Sequence, residues 1–183
     1  MMKKSVVAAA MLFAMSASVQ VQANEGQGAI NFTGSIIDAA CSIKPGDDDQ
    51  TVEFGQVGKA SLFKNGGVPR DFSIELENCD ASKFESVNVT FTGPLDNKAN
   101  PNILGISGQA KGAGIKIKNL SASETANQDV TFGQATSISG LQDGSAPHNL
   151  LRFQAVMVKT VDKAEEIVEG DFTAQANFVM NYM

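Results

Sequence analysis

From Phe172 to Tyr182 every second residue is apolar or aromatic: Phe172, Ala174, Ala176, Phe178, Met180 and Tyr182. Asp171, Thr173, Gln175, Asn177 and Asn181 stand beside them, and only Val179 breaks the polar row. A period of two sends alternate side chains to opposite faces of an extended chain, whereas a helix needs apolar residues three and four apart. The segment therefore reads as a β-strand with one buried face. The same period recurs upstream. Ile30, Phe32, Gly34 and Ile36 alternate with Asn31, Thr33 and Ser35; Phe72, Ile74 and Leu76 alternate with Ser73, Glu75 and Glu77; Val87, Val89 and Phe91 alternate with Asn88, Thr90 and Thr92. Ile115 and Ile117 form a shorter piece, and Leu150 to Thr160 reads as a long central strand.

Turn-forming clusters separate these runs: Lys44-Pro45-Gly46-Asp47, Lys64-Asn65-Gly66-Gly67, Thr92-Gly93-Pro94 and Asp143-Gly144-Ser145-Ala146-Pro147. Their spacing suits antiparallel pairing. No segment carries a helical stripe, and only Ser82 to Glu85 and Ser121 to Gln128 have room for a helical turn. The pattern predicts an all-β, immunoglobulin-like sandwich.

The first twenty-three residues stand apart from that pattern. Lys3 and Lys4 precede a run of mostly Ala, Val, Met, Leu and Phe, and Val21-Gln22-Ala23 supplies small residues where a signal peptidase cuts. The run is about fifteen residues long, short of the about 20 a bilayer core requires. Cleavage after Ala23 is expected, giving an exported chain without membrane insertion. Losing two lysines takes the net charge from −6 to −8. An acidic chain with no basic stripe repels a phosphate backbone, which excludes nucleic acid as a partner.

Export also bears on the cysteines. An oxidising compartment pairs thiols, and Cys41 and Cys79 allow one connectivity. The chain-entropy relation assigns such a bridge about 4 kcal/mol of stabilisation.

Catalytic and metal-binding chemistry has little to work with. One histidine, His148, excludes multi-histidine metal sites and most triads, so no enzyme activity and no cofactor are expected. His148 sits beside Pro147 and reads as a solvated loop residue. Asp47-Asp48-Asp49 lacks the spaced ligands, central Gly and distant Glu of a calcium loop and reads as a solvated turn. Asn31-Phe-Thr33, Asn88-Val-Thr90 and Asn119-Leu-Ser121 match the glycosylation sequon at chance frequency.

Two segments are unusual for a self-contained sandwich. Long apolar edge strands are normally guarded by charge, Pro or a bulge, because unpaired N–H and C=O groups recruit other strands. Phe172 to Tyr182 carries no such guard. At the other end, Asn24 to Ser35 is a polar lead that turns into an alternating strand with a Gly in its apolar row. A segment of this kind adds itself to a foreign sheet edge. An offered strand and an open edge on one chain define a head-to-tail contact, which propagates as a filament.

Phe32-x-Gly34-x(5)-Ala40-Cys41, then Phe72-x-Ile74-x-Leu76-x-x-Cys79, then Gly170 fourteenth from the end and Tyr182 penultimate, resemble the type 1-like fimbrial subunits of the chaperone–usher pathway. The resemblance covers Asn24 to Met183 and is strongest to major rod subunits of Proteus-type fimbriae. It implies an incomplete immunoglobulin-like domain, residues 37–183, lacking its final strand. It implies a donor-strand extension, residues 24–36, with Ile30, Phe32, Gly34 and Ile36 facing a neighbour's groove. Gly170, Phe172, Ala174, Ala176, Phe178, Met180 and Tyr182 would form the edge that a periplasmic chaperone occupies first. An outer-membrane usher would then exchange the chaperone strand for the next subunit's extension, building a homopolymer on the cell surface. A minor adaptor of the same fibre and a monomeric secreted binding module are the alternatives. The second would need neither open edge nor detachable leader, and an absent Trp and a single Tyr leave it without sugar-stacking platforms.

Overall fold

The computed structural model describes residues 28–64, 66–82, 84–97, 100–121, 126–144 and 149–183. His148 and residues 1–27, which include the expected signal peptide and the start of the expected leader, lie outside them. The chain divides into two units, residues 1–36 and 37–183. In the first, residues 28–36 form neither strand nor helix, and Ile30, Phe32 and Ile36 are 80, 89 and 104% exposed. The expected strand with a buried face is thus absent from this segment. An alternating segment acquires ladder bonds and burial only from a neighbouring strand, and among the described residues no strand pairs with it.

The second unit is all-β with one short helix. Its elements are β1 (Ser42–Ile43), α1 (Lys59–Lys64), β2 (Val68–Glu77), β3 (Ser86–Thr92), β4 (Leu95–Asn97), β5 (Asn100–Gly105), β6 (Ser107–Gly108), β7 (Ala113–Asn119), β8 (Ala135–Ser139) and β9 (Leu150–Lys159). A 3₁₀ turn at Ala164–Glu166, β10 (Phe172–Thr173) and β11 (Asn177–Tyr182) complete it. One antiparallel sheet runs β1-β2-β9-β7-β5-β4, a second runs β11-β3-β8, and β10 pairs with β6. As expected, Leu150–Lys159 is central, flanked by β2 and β7.

The alternating rows meet between the sheets. Ile74, Leu76, Val87, Val89 and Phe91 are all 3% exposed or less. Phe153 of β9, fully buried, stacks on Phe72 at 5.5 Å and meets Phe91 edge-on at 5.0 Å, so its two ring contacts join both sheets. Such aromatic pairs add about 1 kcal/mol each beyond their buried area. Cys41 and Cys79 form a disulfide, one just before β1 and the other just after β2.

Three expectations need correction. The segment Phe172 to Tyr182 is two strands: β10 bonds to β6, β11 bonds to β3, and residues 174–176 switch between them. Alternation specifies which face a side chain takes and leaves open which strand its backbone bonds. The switch lies on Gly93, where an added Cβ would stand 2.8 Å from the Gln175 carbonyl oxygen. Second, α1 was not foreseen; six residues are too few to display a helical period, although Leu62 is buried. Third, Ala81–Ser82 and Ala126–Asn127 form turns, and neither predicted helical turn contains helix among the described residues.

Candidate functional site

An apolar groove opens beside the last two strands. It consists of two adjoining cavities of about 520 and about 460 Å³ that share Val52 and Phe54. One wall is the chain from Gly170 to Phe178, which includes β10 and the start of β11; the other is the irregular segment from Ile43 to Val57. Between them the floor is core: Phe72, Ile74, Phe91, Ile115 and Ala155 at one end, Leu62, Ala113 and Met157 at the other.

The groove exists because β11 is paired on one side only. Its ladder to β3 runs from Asn177↔Thr92 to Tyr182↔Val87, and among the described residues no strand pairs with its other edge. The burial pattern records the same asymmetry. On β3, Val87, Val89 and Phe91 are 0, 0 and 3% exposed, whereas Phe178, Met180 and Tyr182 opposite them are only half-buried. Side chains aimed at a core but left incompletely buried mark a missing layer, since covering the remaining apolar surface gains about 25 cal/mol per Å². An unpaired strand edge beside an apolar floor is a receptor for an extended chain: the edge supplies main-chain hydrogen bonds and the floor takes alternate side chains.

Of the expected edge residues, Gly170, Phe172, Ala174, Ala176 and Phe178 line the groove. Gly170 has φ +147°, and a Cβ there would stand 2.5 Å from Gln109 Cβ, so the wall turns into β10 at a position that only glycine fills without strain. Ala174 is exposed at the sheet switch. Met180 and Tyr182 continue the row beyond the cavities. The Tyr182 ring meets Phe84 at 6.3 Å, and its hydroxyl donates to the Cys41 carbonyl at 3.4 Å. Burial pushes the Tyr182 phenol up, which keeps it protonated as that donor. The strand end is also tied by its backbone, Met183 N–H donating to Ser86 O at 3.0 Å and Ser86 N–H to Met183 O at 3.2 Å.

Charge gathers at the ends of the groove. Lys59 of α1 and Glu169, just before the Gly170 wall, pair at 3.1 Å, and Asp47, Asp48 and Asp49 line the opposite cavity. Among the described residues no group of three or more His, Cys, Asp or Glu is arranged to hold a metal ion, and no helix is long and apolar enough to cross a membrane. Sequence reasoning missed the wall from Ile43 to Val57. Val52 and Phe54 alternate with Glu53, and that pair was its only signal.

Comparisons with known proteins agree with this geometry. The Fimbrial protein family profile matches residues 30–183. The Fimbria A protein of Serratia marcescens is 43% identical over 183 residues, covering 99% of this chain and 98% of its own length. The Major MR/P fimbria protein of Proteus mirabilis (strain HI4320) is 39% identical over 162 residues, covering 87% of this chain and 86% of its own. A solved structure of a chaperone–usher pilus, concerned with the uncoiling of its rod, superposes with a TM-score of 0.71 at 34% identity, covering 87% of this chain and 97% of that one.

Proposed function

This chain belongs to the Fimbrial protein family, and on that premise we propose that it polymerises by lending residues 24–36 to the groove of a neighbouring copy. It is a major rod subunit of a chaperone–usher fimbria, and it joins neighbouring subunits in a fibre on the cell surface. The joint itself is the proposal. Residues 1–23 are removed on export, residues 24–36 form the donor strand, and residues 37–183 form the receiving domain. Ile30, Phe32, Gly34 and Ile36 face the groove floor, and Gly170 to Tyr182 form the edge along which the donor pairs.

The observation that carries this reading is the half-exposed row of β11 beside a groove floored by core residues. The exposure of Ile30, Phe32 and Ile36 supports it from the donor side. Burying three large side chains contributes about 6 kcal/mol before any ladder bond is counted. A free subunit leaves the row Phe178, Met180 and Tyr182 incompletely covered, so a periplasmic chaperone covers it first and an outer-membrane usher replaces the chaperone with the next subunit's leader.

Size-exclusion chromatography with mass determination tests the joint, using the cleaved chain with and without residues 24–36 after refolding with the disulfide intact. Heat-resistant polymers from the complete chain, lost on truncation, are the expected result. Stable monomers from both would overturn strand donation.

A further inference from the structure

The wall facing β10 and β11 is held in an unusual way. Past Ile43 it leaves the β1–β2 ladder with a single backbone bond, Lys44 N–H to Glu75 O at 3.0 Å. Among the described residues, no backbone-to-backbone hydrogen bond outside the ladders involves residues 48–57. Side chains take over along the free edge of β2. The Asp47 carboxylate accepts from Glu75 N–H at 2.7 Å, where the carbonyl of a paired strand would stand. Gln50 Nε2 donates to Ser73 O at 2.8 Å and to Asp47 O at 3.0 Å, standing in for a strand N–H. Arg70 Nε donates to Glu53 O at 3.2 Å and Nη2 to Phe54 O at 2.9 Å, while Nη1 reaches Pro69 O at 2.8 Å. Pro69 lies on the same stretch of β2, beyond its pairing with β1, and has no N–H to satisfy there.

These staples hold the part of the wall that both cavities share, since Val52 and Phe54 line each of them. Phe54 is 6% exposed and half-buried Val52 packs with it against the core, while the floor residues Ile74, Phe91 and Met157 are 3% exposed or less, so the wall already rests on the floor here. Apolar attraction would draw it further into the two cavities, and the staples oppose this by fixing the wall's carbonyls to β2. An incoming strand would remove the need for them, because it fills the cavities itself.

We propose that Asp47, Gln50 and Arg70 are positioning residues for strand capture, holding the groove open until a donor strand seats. This rests on the strand-donation reading above. It assigns the staples to the capture step and gives them no part in the dissociation rate of the finished joint. Loss of a staple slows capture and leaves dissociation unchanged.

The test follows polymer growth and joint dissociation in refolded full-length chain, with detergent-resistant polymer as the readout. Arg70→Ala is expected to capture about fivefold more slowly, and Gln50→Glu, which replaces the donor by a repelling acceptor, about threefold. Joints formed by either variant are expected to dissociate at the wild-type rate. Wild-type capture rates in both variants would overturn the inference while leaving strand donation standing. So would slower capture matched by equally faster dissociation, because the staples would then be ordinary supports of the fold. Absence of polymer from the wild-type chain would overturn strand donation and this inference together. Should Arg70→Ala fail to fold, Gln50→Glu decides between these outcomes.

Discussion

Truncating Phe32 to alanine separates the stability of a subunit from that of a joint. Phe32 is 89% exposed, and Ile30 and Ile36 beside it are 80 and 104% exposed. A side chain already in water contributes nothing to the fold of residues 37–183, so the melting of an unjoined subunit is expected to stay at its wild-type value. In the proposed joint, the same ring would fill a groove pocket. Replacing a buried Phe by Ala removes its transfer free energy and leaves a cavity, about 3 kcal/mol together at the lower end of the observed range. That difference corresponds to about a hundredfold in equilibrium constant. Most of it falls on dissociation, because changes within one interface act mainly on the off-rate. The assay is denaturant-induced dissociation of purified polymer, set against unfolding of the chain lacking residues 24–36. A joint that loses no stability would refute the placement of Phe32 in the groove. A shift in the melting of the unjoined Phe32→Ala subunit would refute the premise that this side chain contributes nothing to the fold of residues 37–183.

Gly34→Leu is expected to abolish polymer formation without affecting export: nothing lies within 4 Å of a Cβ at this position, so the free chain accommodates it, whereas the proposed joint would have to seat a bulky side chain in the glycine's place. Surface fibres at wild-type abundance would contradict this. Gly170→Ala places a Cβ 2.5 Å from Gln109 Cβ at φ +147°, and is expected to cost about 2 kcal/mol in chemical denaturation and to weaken strand capture. Asn149→Ala removes a buried side chain that accepts from Gln142 N–H at 2.8 Å and donates to Gln142 O at 2.7 Å. Two backbone groups lose their partner, and about 3 kcal/mol of stability is expected to go with them in a urea titration. Replacing Cys41 and Cys79 together by serine frees a loop spanning 38 residues and is expected to cost about 4 kcal/mol, read from subunit yield and from the unfolding midpoint.

Much of the receiving domain was legible in the residues. Phe72, Ile74 and Leu76, and again Val87, Val89 and Phe91, announce their strands because each segment has one dry face and one wet face. Other strands carry no such contrast. In β5, Ile103 and Leu104 are neighbours and both buried, which erases the alternation. In β8 only Thr136 and Ile138 face inward, one of them polar. Gly170 and the apolar row after it were read as one edge strand, which the structure divides into β10 and β11. The opposite wall went unrecognised because Asp47, Gln50 and Arg70 hold it through side-chain bonds, and those bonds have no period.

The sequence by itself determined that this chain is a sandwich of alternating strands, that Cys41 pairs with Cys79, and that the row from Phe172 to Tyr182 is one-faced. These follow from local rules, since side-chain parity, turn chemistry and cysteine number need no knowledge of neighbours. Only the tertiary structure decided that the row changes sheets at residues 174–176, that among the described residues β11 keeps an unpaired edge, and that its inward side chains are left incompletely buried. Backbone partners are chosen by which strands arrive side by side, a property of chain topology to which the alternation within any one strand is indifferent.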